Sequence, residues 1–445
     1  MNFSTERLEE LCELIVDCPH STPTWTDSGF VVLRNQNIRD GVLDLSSPSF
    51  TDEEGFKSRI KRATPKENDI VFTREAPMGE VCLIPEGLTC CLGQRQVLLR
   101  ARENINPHFL FWALQSPYVQ HQIFWNEGTG TTVSNVRIPF IKDLKIPRLV
   151  GMEDTIAFTL NSLAQKLSNN NKINRTLEQM AQALFKSWFV DFEPVKAKIA
   201  VLEAGGSQED ATLAAMTAIS GKDADSLTVF EQEHPEKYAE LKATAELFPS
   251  TMQESELGDI PAGWSSQRMS NIATLHYGKA LKKTERIDGP YPVYGSGGIT
   301  GSHNGYLVEG PSIIVGRKGS IGTIYWEDGK FHPIDTVYYV ATKEEIPLSY
   351  LYYLMKTLNL PSMNTDAAVP GLNRDNVYRL EVLKPTQSIL NKFDNHIATI
   401  RNGIQKNNNT IVSLVGLRGT LLPKLLSGEI TLPEAEEITK EADYV

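Results

Sequence analysis

Cysteine is scarce here: five residues in 445, Cys12, Cys18, Cys82, Cys90 and Cys91, all within the first quarter. The number is odd and no pair has CxxC spacing, so neither a disulfide framework nor a zinc site is expected, which agrees with a reducing, cytoplasmic setting. No apolar run reaches the ~18 residues of a spanning helix, so no membrane association is expected. The first residues, MNFSTERLEELCELIVDC, are acidic and lack a basic n-region, so no signal peptide is expected. Spellings of catalysis are missing too. Without any Pro-Pro there is no (D/N)PP(Y/F) tetrapeptide of an amino-methyltransferase. Without any Pro-Asp, Asp143-Leu-Lys145 and Asp328-Gly-Lys330 match DxK by chance spelling only, and neither HExxH nor GxSxG occurs. "GSGGITG" (Gly295 to Gly301) fails as a dinucleotide fingerprint, because Thr300 stands at the third glycine position and no long helix follows.

What is present is an ordinary globular composition, 41% hydrophobic and 22% charged, on a chain long enough for two to four domains. The net charge of −11 is unevenly distributed. Residues 191–262 hold 15 acids against 5 bases, whereas residues 386–428 hold 5 bases against 1 acid. The acidity is thus concentrated in one segment, and the remainder permits DNA binding through local basic loops without indicating it.

The dominant pattern is a repeated heptad. From Ile156 the steps alternate four and three through Leu160, Leu163, Leu167, Asn170, Asn174, Leu177, Ala181, Leu184 and Trp188. Adding 237 gives Phe393, Ile397, Ile400, Ile404, Asn407, Ile411, Leu414, Arg418, Leu421 and Leu425. Each run of ~33 residues predicts a helix of ~50 Å, with Pro423 ending or kinking the second. Packed antiparallel, the two would bring Asn170 and Asn407 together at their centres, a polar pair that penalises wrong registers. The rival reading takes the triplets Asn169–Asn171 and Asn407–Asn409 as loops between short helices.

Upstream segments repeat as well. "VSNVRIPFIKDLKIP" corresponds to "VPGLNRDNVYRLEVLKP", with Val136 on Leu372, and "IVFTREAPMGEV" to "IIVGRKGSIGTI", with Arg74 on Arg317 and Gly79 on Gly322. Short β-type runs alternate with turn clusters and one helical stretch in each copy. The expected class is α+β: two mixed α/β domains separated by two long antiparallel helices in a coiled coil, related by a pseudo-twofold internal repeat. The expected segments are 1–150, a first helix 151–190, an acidic helical connector 191–262, 263–386, a second helix 387–430, and a tail 431–445. The connector reads as a solvated strap or, failing that, a protein-docking surface. Two similar but non-identical units on long helices suit a bipartite target on duplex DNA, where half-sites recur about every 34–36 Å.

The chain resembles the specificity subunits of type I restriction–modification enzymes. The resemblance rests on "DCPHSTPTW", "TREAPMGEVCLI", "LGQRQVLLR", "GTGTTVSNVRIPFIKDLKIP", "LFKSWFVDFEPVKAK", "GDIPAGW", "YPVYGSGGITG", "GRKGSIG" and "LLPKLLSGEI", and covers nearly the whole length. It departs in one place: the first unit lacks a "GDIPxGW"-like lead-in. The resemblance implies two target-recognition domains that bind double-stranded DNA. It implies assembly with two DNA-adenine methyltransferase subunits and with restriction/translocase subunits. No catalytic residue, cofactor or metal is expected on this chain; S-adenosylmethionine, ATP and Mg are expected on the partners. A self-contained methyltransferase or nuclease with an unrecognised site is the alternative.

Candidate DNA contacts in the first unit are His20, Ser21 and Thr22, small donors on a Pro-bounded loop, together with Arg74, Arg95 and Thr131. In the second unit they are Lys279, Lys282, Lys283 and Arg286, four bases in eight positions beside Tyr277, the glycine-rich turn Gly297–Gly298, and Arg317 with Lys318 at a strand end. Ordinary turns, solvated faces and a structural Arg are the rival readings. Trp188, Phe189 and Phe192 carry more aromatic surface than one seam can bury and are expected to dock a partner.

Overall fold

The computed structural model describes residues 4–125, 135–343, 345–364 and 371–430. They form two compact units, Met1–Lys172 with Asn407–Val445, and Ile173–Lys406. This division cuts across the expected segments, because each long helix gives one half to each unit. The first long helix is Glu153–Phe189 (37 residues) and the second Gln387–Ser427 (41 residues). Both asparagine triplets lie inside continuous helix, so the reading of short helices with loops is set aside. The first helix starts where Glu153, almost fully buried, accepts from Arg148 Nε at 2.6 Å and from the Leu149 amide at 3.2 Å.

Heptad positions are buried as the pattern requires. In the first unit Ile156, Leu160, Leu163 and Leu167 share a core with Leu414, Leu421 and Leu425. In the second, Ala181 and Trp188 share one with Phe393 and Ile397. The direction can be read within the second unit. A Cβ on Gly403 would lie 3.4 Å from Leu177, whereas the Phe185 ring lies 5.8 Å from Phe393. Advancing along one helix means retreating along the other, so the two run antiparallel. Asn170 and Asn407 are half-buried at the centres of their helices; their pairing remains a proposal.

Pro423 does not end its helix, which continues to Ser427. Burial of Leu421, Leu425 and Leu426 in the first unit's core offsets the missing amide donor. By length and mean hydropathy this helix could cross a membrane. Its apolar positions are instead accounted for by the two protein cores that they enter.

The repeat extends to strand topology. The first unit has a four-stranded antiparallel sheet in the order Cys12–Asp17, Gln96–Ala101, Ile70–Thr73, Val81–Leu83. The second unit has Ala273–Tyr277, Val337–Thr342, Ser312–Gly316, Ile324–Glu327 in the same order. A second sheet in each contains one parallel pair, Phe30–Leu33 with Cys90–Leu92 and Tyr291–Gly295 with Lys330–Pro333. Before each long helix a terminal strand pairs with the strand that immediately precedes the four-stranded sheet: Lys145–Arg148 with Ser4–Arg7, and Glu381–Lys384 with Ser265–Arg268. The residue matches hold at the level of single bonds. Arg74 and Arg317 each donate a backbone bond of 2.8 Å, to Arg95 and Thr336, and each accepts one, from Val136 at 3.1 Å and Leu372 at 2.8 Å.

Two expectations are corrected here. The acidic connector is not a solvated strap. Its helices Gln208–Ser220, Ala224–Glu233 and Pro235–Glu246 form a small core of Ala215, Met216, Leu227 and Ala245, and Glu193–Glu203 places Val195 in the second unit's main core. Ser207 and Asp223 cap two of them by accepting from Asp210 N and Ser226 N. Lys198, its pKa lowered by burial, donates to the Phe248 carbonyl at 2.6 Å. This folded connector returns over the end of the first helix, and that corrects the second expectation. Trp188 and Phe189 are buried, with Trp188 edge-on to Phe248 at 5.0 Å, Phe189 against Phe393 at 5.1 Å, and Phe192 half-buried on Trp264 at 5.8 Å. They belong to the core of the second unit and present no free docking patch.

Candidate nucleic-acid interface

In the first unit the loop Pro19–Trp25 follows the edge strand Cys12–Asp17 and is clamped from beneath. Asp52 caps the short helix Glu53–Arg59 by accepting from Gly55 N at 2.7 Å. The last turn of that helix turns Arg59 inward. Arg59 is 6% exposed and donates to three carbonyls: Leu92 (2.7 Å), Ser21 (3.0 Å) and Pro19 (3.1 Å). Burial lowers its pKa, though a guanidinium stays charged. Its acceptors come from residues more than thirty positions away, and no local spelling signals the role. With the backbone fixed, the side chains of Ser21 and Thr22 stand exposed beside a polar cleft of about 470 Å³ that Lys57 and Lys61 also line. His20 is exposed and contacts Asp17 through Nε2 at 3.0 Å, and Gln94 braces the loop at the His20 carbonyl, 2.6 Å away.

Arg95 is exposed at φ 65, in the left-handed region that non-glycine residues seldom adopt, with Nε 3.1 Å from Glu75. Arg74 is differently placed. Its guanidinium donates to both Asp17 carboxylate oxygens at 2.9 and 3.0 Å and to the Val136 carbonyl at 3.0 Å, leaving the side chain 11% exposed. This arrangement favours the structural reading of Arg74 over a DNA contact. Thr131 lies outside the described residues.

In the second unit Lys279, Lys282 and Lys283 are exposed after the strand Ala273–Tyr277; among the described residues only Lys282 has a carboxylate within 4.0 Å, Glu285 at 3.8 Å. Arg286 is instead turned inward. It donates to the Thr300 carbonyl at 2.8 Å and so ties its segment to the strand Gly298–His303. Ser296 and Gly297 form a hairpin bend, closed by the pair Gly295 and Gly298. A Cβ at Gly297 would meet open space, and Gly298 sits at φ +102. The bend is braced through Ser296, whose carbonyl accepts from Thr323 at 2.6 Å and Tyr325 at 3.3 Å. Lys318 is exposed, and Arg317 is half-buried with its guanidinium 4.8 Å from the Tyr277 ring centre. Arg374 joins them, 5.0 Å from the same ring. Sequence reading missed Arg374 and the role of Tyr277.

Both units therefore present hydroxyl donors, lysines or guanidinium groups on braced loops, which suits phosphate and base-edge acceptors. No group of three His, Cys, Asp or Glu placed to hold a metal ion occurs among the described residues. All five cysteines are buried free thiols. Burial pushes Cys12 and Cys90 up to about 12 and Cys91 to about 11, so none is set up as a thiolate nucleophile.

Comparison with known proteins agrees with this geometry. The family model described as "Type I restriction modification DNA specificity domain" matches residues 2–179 and 261–411, one stretch per repeat. The HindI specificity subunit of Haemophilus influenzae is 32% identical over 300 residues, covering 61% of this chain and 65% of that protein. The chain thus spans just under two thirds of that relative. The MjaIX specificity subunit of Methanocaldococcus jannaschii is 23% identical over 86% of this chain and 82% of its own length. The crystal structure of the type I restriction–modification S subunit from M. genitalium superposes with a TM-score of 0.51 at 17% identity, covering 96% of each chain, a likeness of fold. With two matched stretches spanning most of its length and the same strand order built twice, the chain belongs to the type I restriction–modification DNA specificity family.

Proposed function

We propose that this chain, a type I specificity subunit by family, is the non-catalytic DNA-reading subunit of a restriction–modification complex. Each unit reads one half of an asymmetric, gapped site on double-stranded DNA, and the paired helices set the gap. The observation that carries this reading is the repeat itself. One backbone frame, bonded alike at Arg74 and Arg317, is built twice, while the side chains that it displays differ. Equal frames with unequal surfaces suit a target with two unlike halves.

Two methyltransferase subunits and the restriction/translocase subunits supply the chemistry, and S-adenosylmethionine, ATP and Mg bind there. The complex works in the cytoplasm. The basic and hydroxyl-bearing loops act on phosphates and base edges, while Arg59, Arg74 and Arg286 hold those loops in shape.

The test is a methyl-transfer assay with the chain alone, with its methyltransferase partner alone, and with both. Sequence-specific adenine methylation is expected only when both are present. Turnover by the isolated chain would overturn the non-catalytic reading.

A further inference from the structure

The two units have the same arginine at the same place in the sheet but hold it differently, and one register position accounts for the difference. In the first unit Val97 pairs with Asp17 on one side and Phe72 on the other; Arg74 follows two residues after Phe72. In the second unit Tyr338 pairs with Tyr277 and Val315; Arg317 follows two residues after Val315. Asp17 and Tyr277 are thus topological equivalents, and so are Arg74 and Arg317. A carboxylate at this position draws the guanidinium in: Arg74 gives two bonds to Asp17 and is nearly buried. An aromatic ring cannot accept an in-plane fork; it supports the guanidinium face and leaves the N–H edge available.

Arg317 behaves accordingly. Its guanidinium is 4.8 Å from the Tyr277 centroid and 5.8 Å from that of Tyr338. Its bond to the Asp335 carbonyl at 3.1 Å uses NH1 alone. A second cation, Arg374, lies over Tyr277 at 5.0 Å and over Tyr378 at 5.7 Å, and its buried Nε has no hydrogen-bond partner. Among the described residues neither arginine forms a salt bridge. Two like charges are therefore gathered on one half-exposed ring with no carboxylate among the described residues paired to either, beside the exposed Lys318. Such a group is built for an acceptor supplied from outside.

We propose that Tyr277 carries Arg317 as the DNA-reading guanidinium of the second unit, and that the first unit has withdrawn the equivalent Arg74 into a structural bond with Asp17. The inference rests on the DNA-reading function proposed above. The ligand is a paired oxygen or nitrogen acceptor on duplex DNA, either the O6/N7 edge of guanine or a phosphate. The same frame thus presents a guanidinium at this position in one half of the molecule and withdraws it in the other.

The experiment uses the complex with its methyltransferase partner. Variants R317A, R317K, Y277D and Y277F are compared for affinity to the methylated site, salt dependence and methylated motif. R317A is expected to lose roughly tenfold or more in affinity. Y277D, which recreates the first unit's carboxylate, should lose a similar amount although Arg317 is still present, and Y277F should retain more than Y277D. If guanine is read, R317A and R317K both relax one position of one half-site. If a phosphate is held, R317A weakens all sequences alike, the salt slope falls by about 0.9, and R317K restores most of the loss. Unchanged affinity, slope and motif in R317A, with its melting profile intact, would overturn the proposal. A wild-type complex that neither binds nor methylates DNA would instead refute the underlying function.

Discussion

Inserting one heptad at the centre of both long helices is expected to lengthen the gap between the two methylated half-sites by about three base pairs and to leave both half-site sequences unchanged. Seven residues add about 10.5 Å of helix, and a base pair rises ~3.4 Å. A whole heptad keeps the apolar seam in phase, whereas four residues in one helix alone would rotate it. The matched insertion preserves the antiparallel pairing read from Leu177 on Gly403 and Phe185 on Phe393. It also leaves untouched the buried positions at either end, Ile156 to Leu167 and Ala181 to Trp188. Sequencing of methylated adenines in a host carrying the variant reads the gap directly. An unchanged gap, with methylation retained, would remove the helices from the account of spacing.

Replacing Trp188 by alanine is expected to destabilise the second unit by about 3–5 kcal/mol, the range for deleting a large buried aromatic. At ~2–4 °C per kcal/mol for a unit of this size, its melting transition should fall by about 6–20 °C. The ring is fully buried, edge-on to Phe248 at 5.0 Å and within 6.0 Å of Phe393. Phenylalanine should cost much less, because the indole Nε1 is buried without a hydrogen-bond partner and its removal frees that donor from a desolvated site. Calorimetry of the chain separates this role from partner docking. A Trp188→Ala protein that melts like wild type yet fails to bind its methyltransferase partner would return this residue to the surface role first read from the sequence.

Nothing local to Trp188 marks the cover that buries it. The helices and the duplication are legible because hydrophobic periodicity is a local signal: Ile156, Leu160 and Leu163 need only their own helix to declare a face. Bond-level equivalence of Arg74 and Arg317 was likewise legible, since "TREAPMGE" and "GRKGSIG" share spacing as well as residue type. The cover over Trp188 and Phe192 comes from Phe248 and Trp264, more than fifty residues later, through a connector that reads as acidic and solvated. The same holds for the arginines. Arg74 and Arg286 read as candidate DNA contacts and Arg59 carries no signal of its own, but Arg74 is held by Asp17 and Val136, Arg286 by Thr300, and Arg59 by Pro19, Ser21 and Leu92. Acceptors that approach only through the fold leave no mark beside the residue they hold. Pro423 shows a further limit: a local breaker yielded to the burial of the leucines around it.

The most direct test of the central claim, that one frame built twice reads two unlike half-sites, is single-molecule sequencing of adenine methylation in a host that gains this chain and its methyltransferase partner. A single asymmetric motif is expected, two different short sequences separated by a fixed run of unspecified bases, and absent when the chain is deleted. A continuous motif, a palindrome, or methylation that persists without the chain would contradict it.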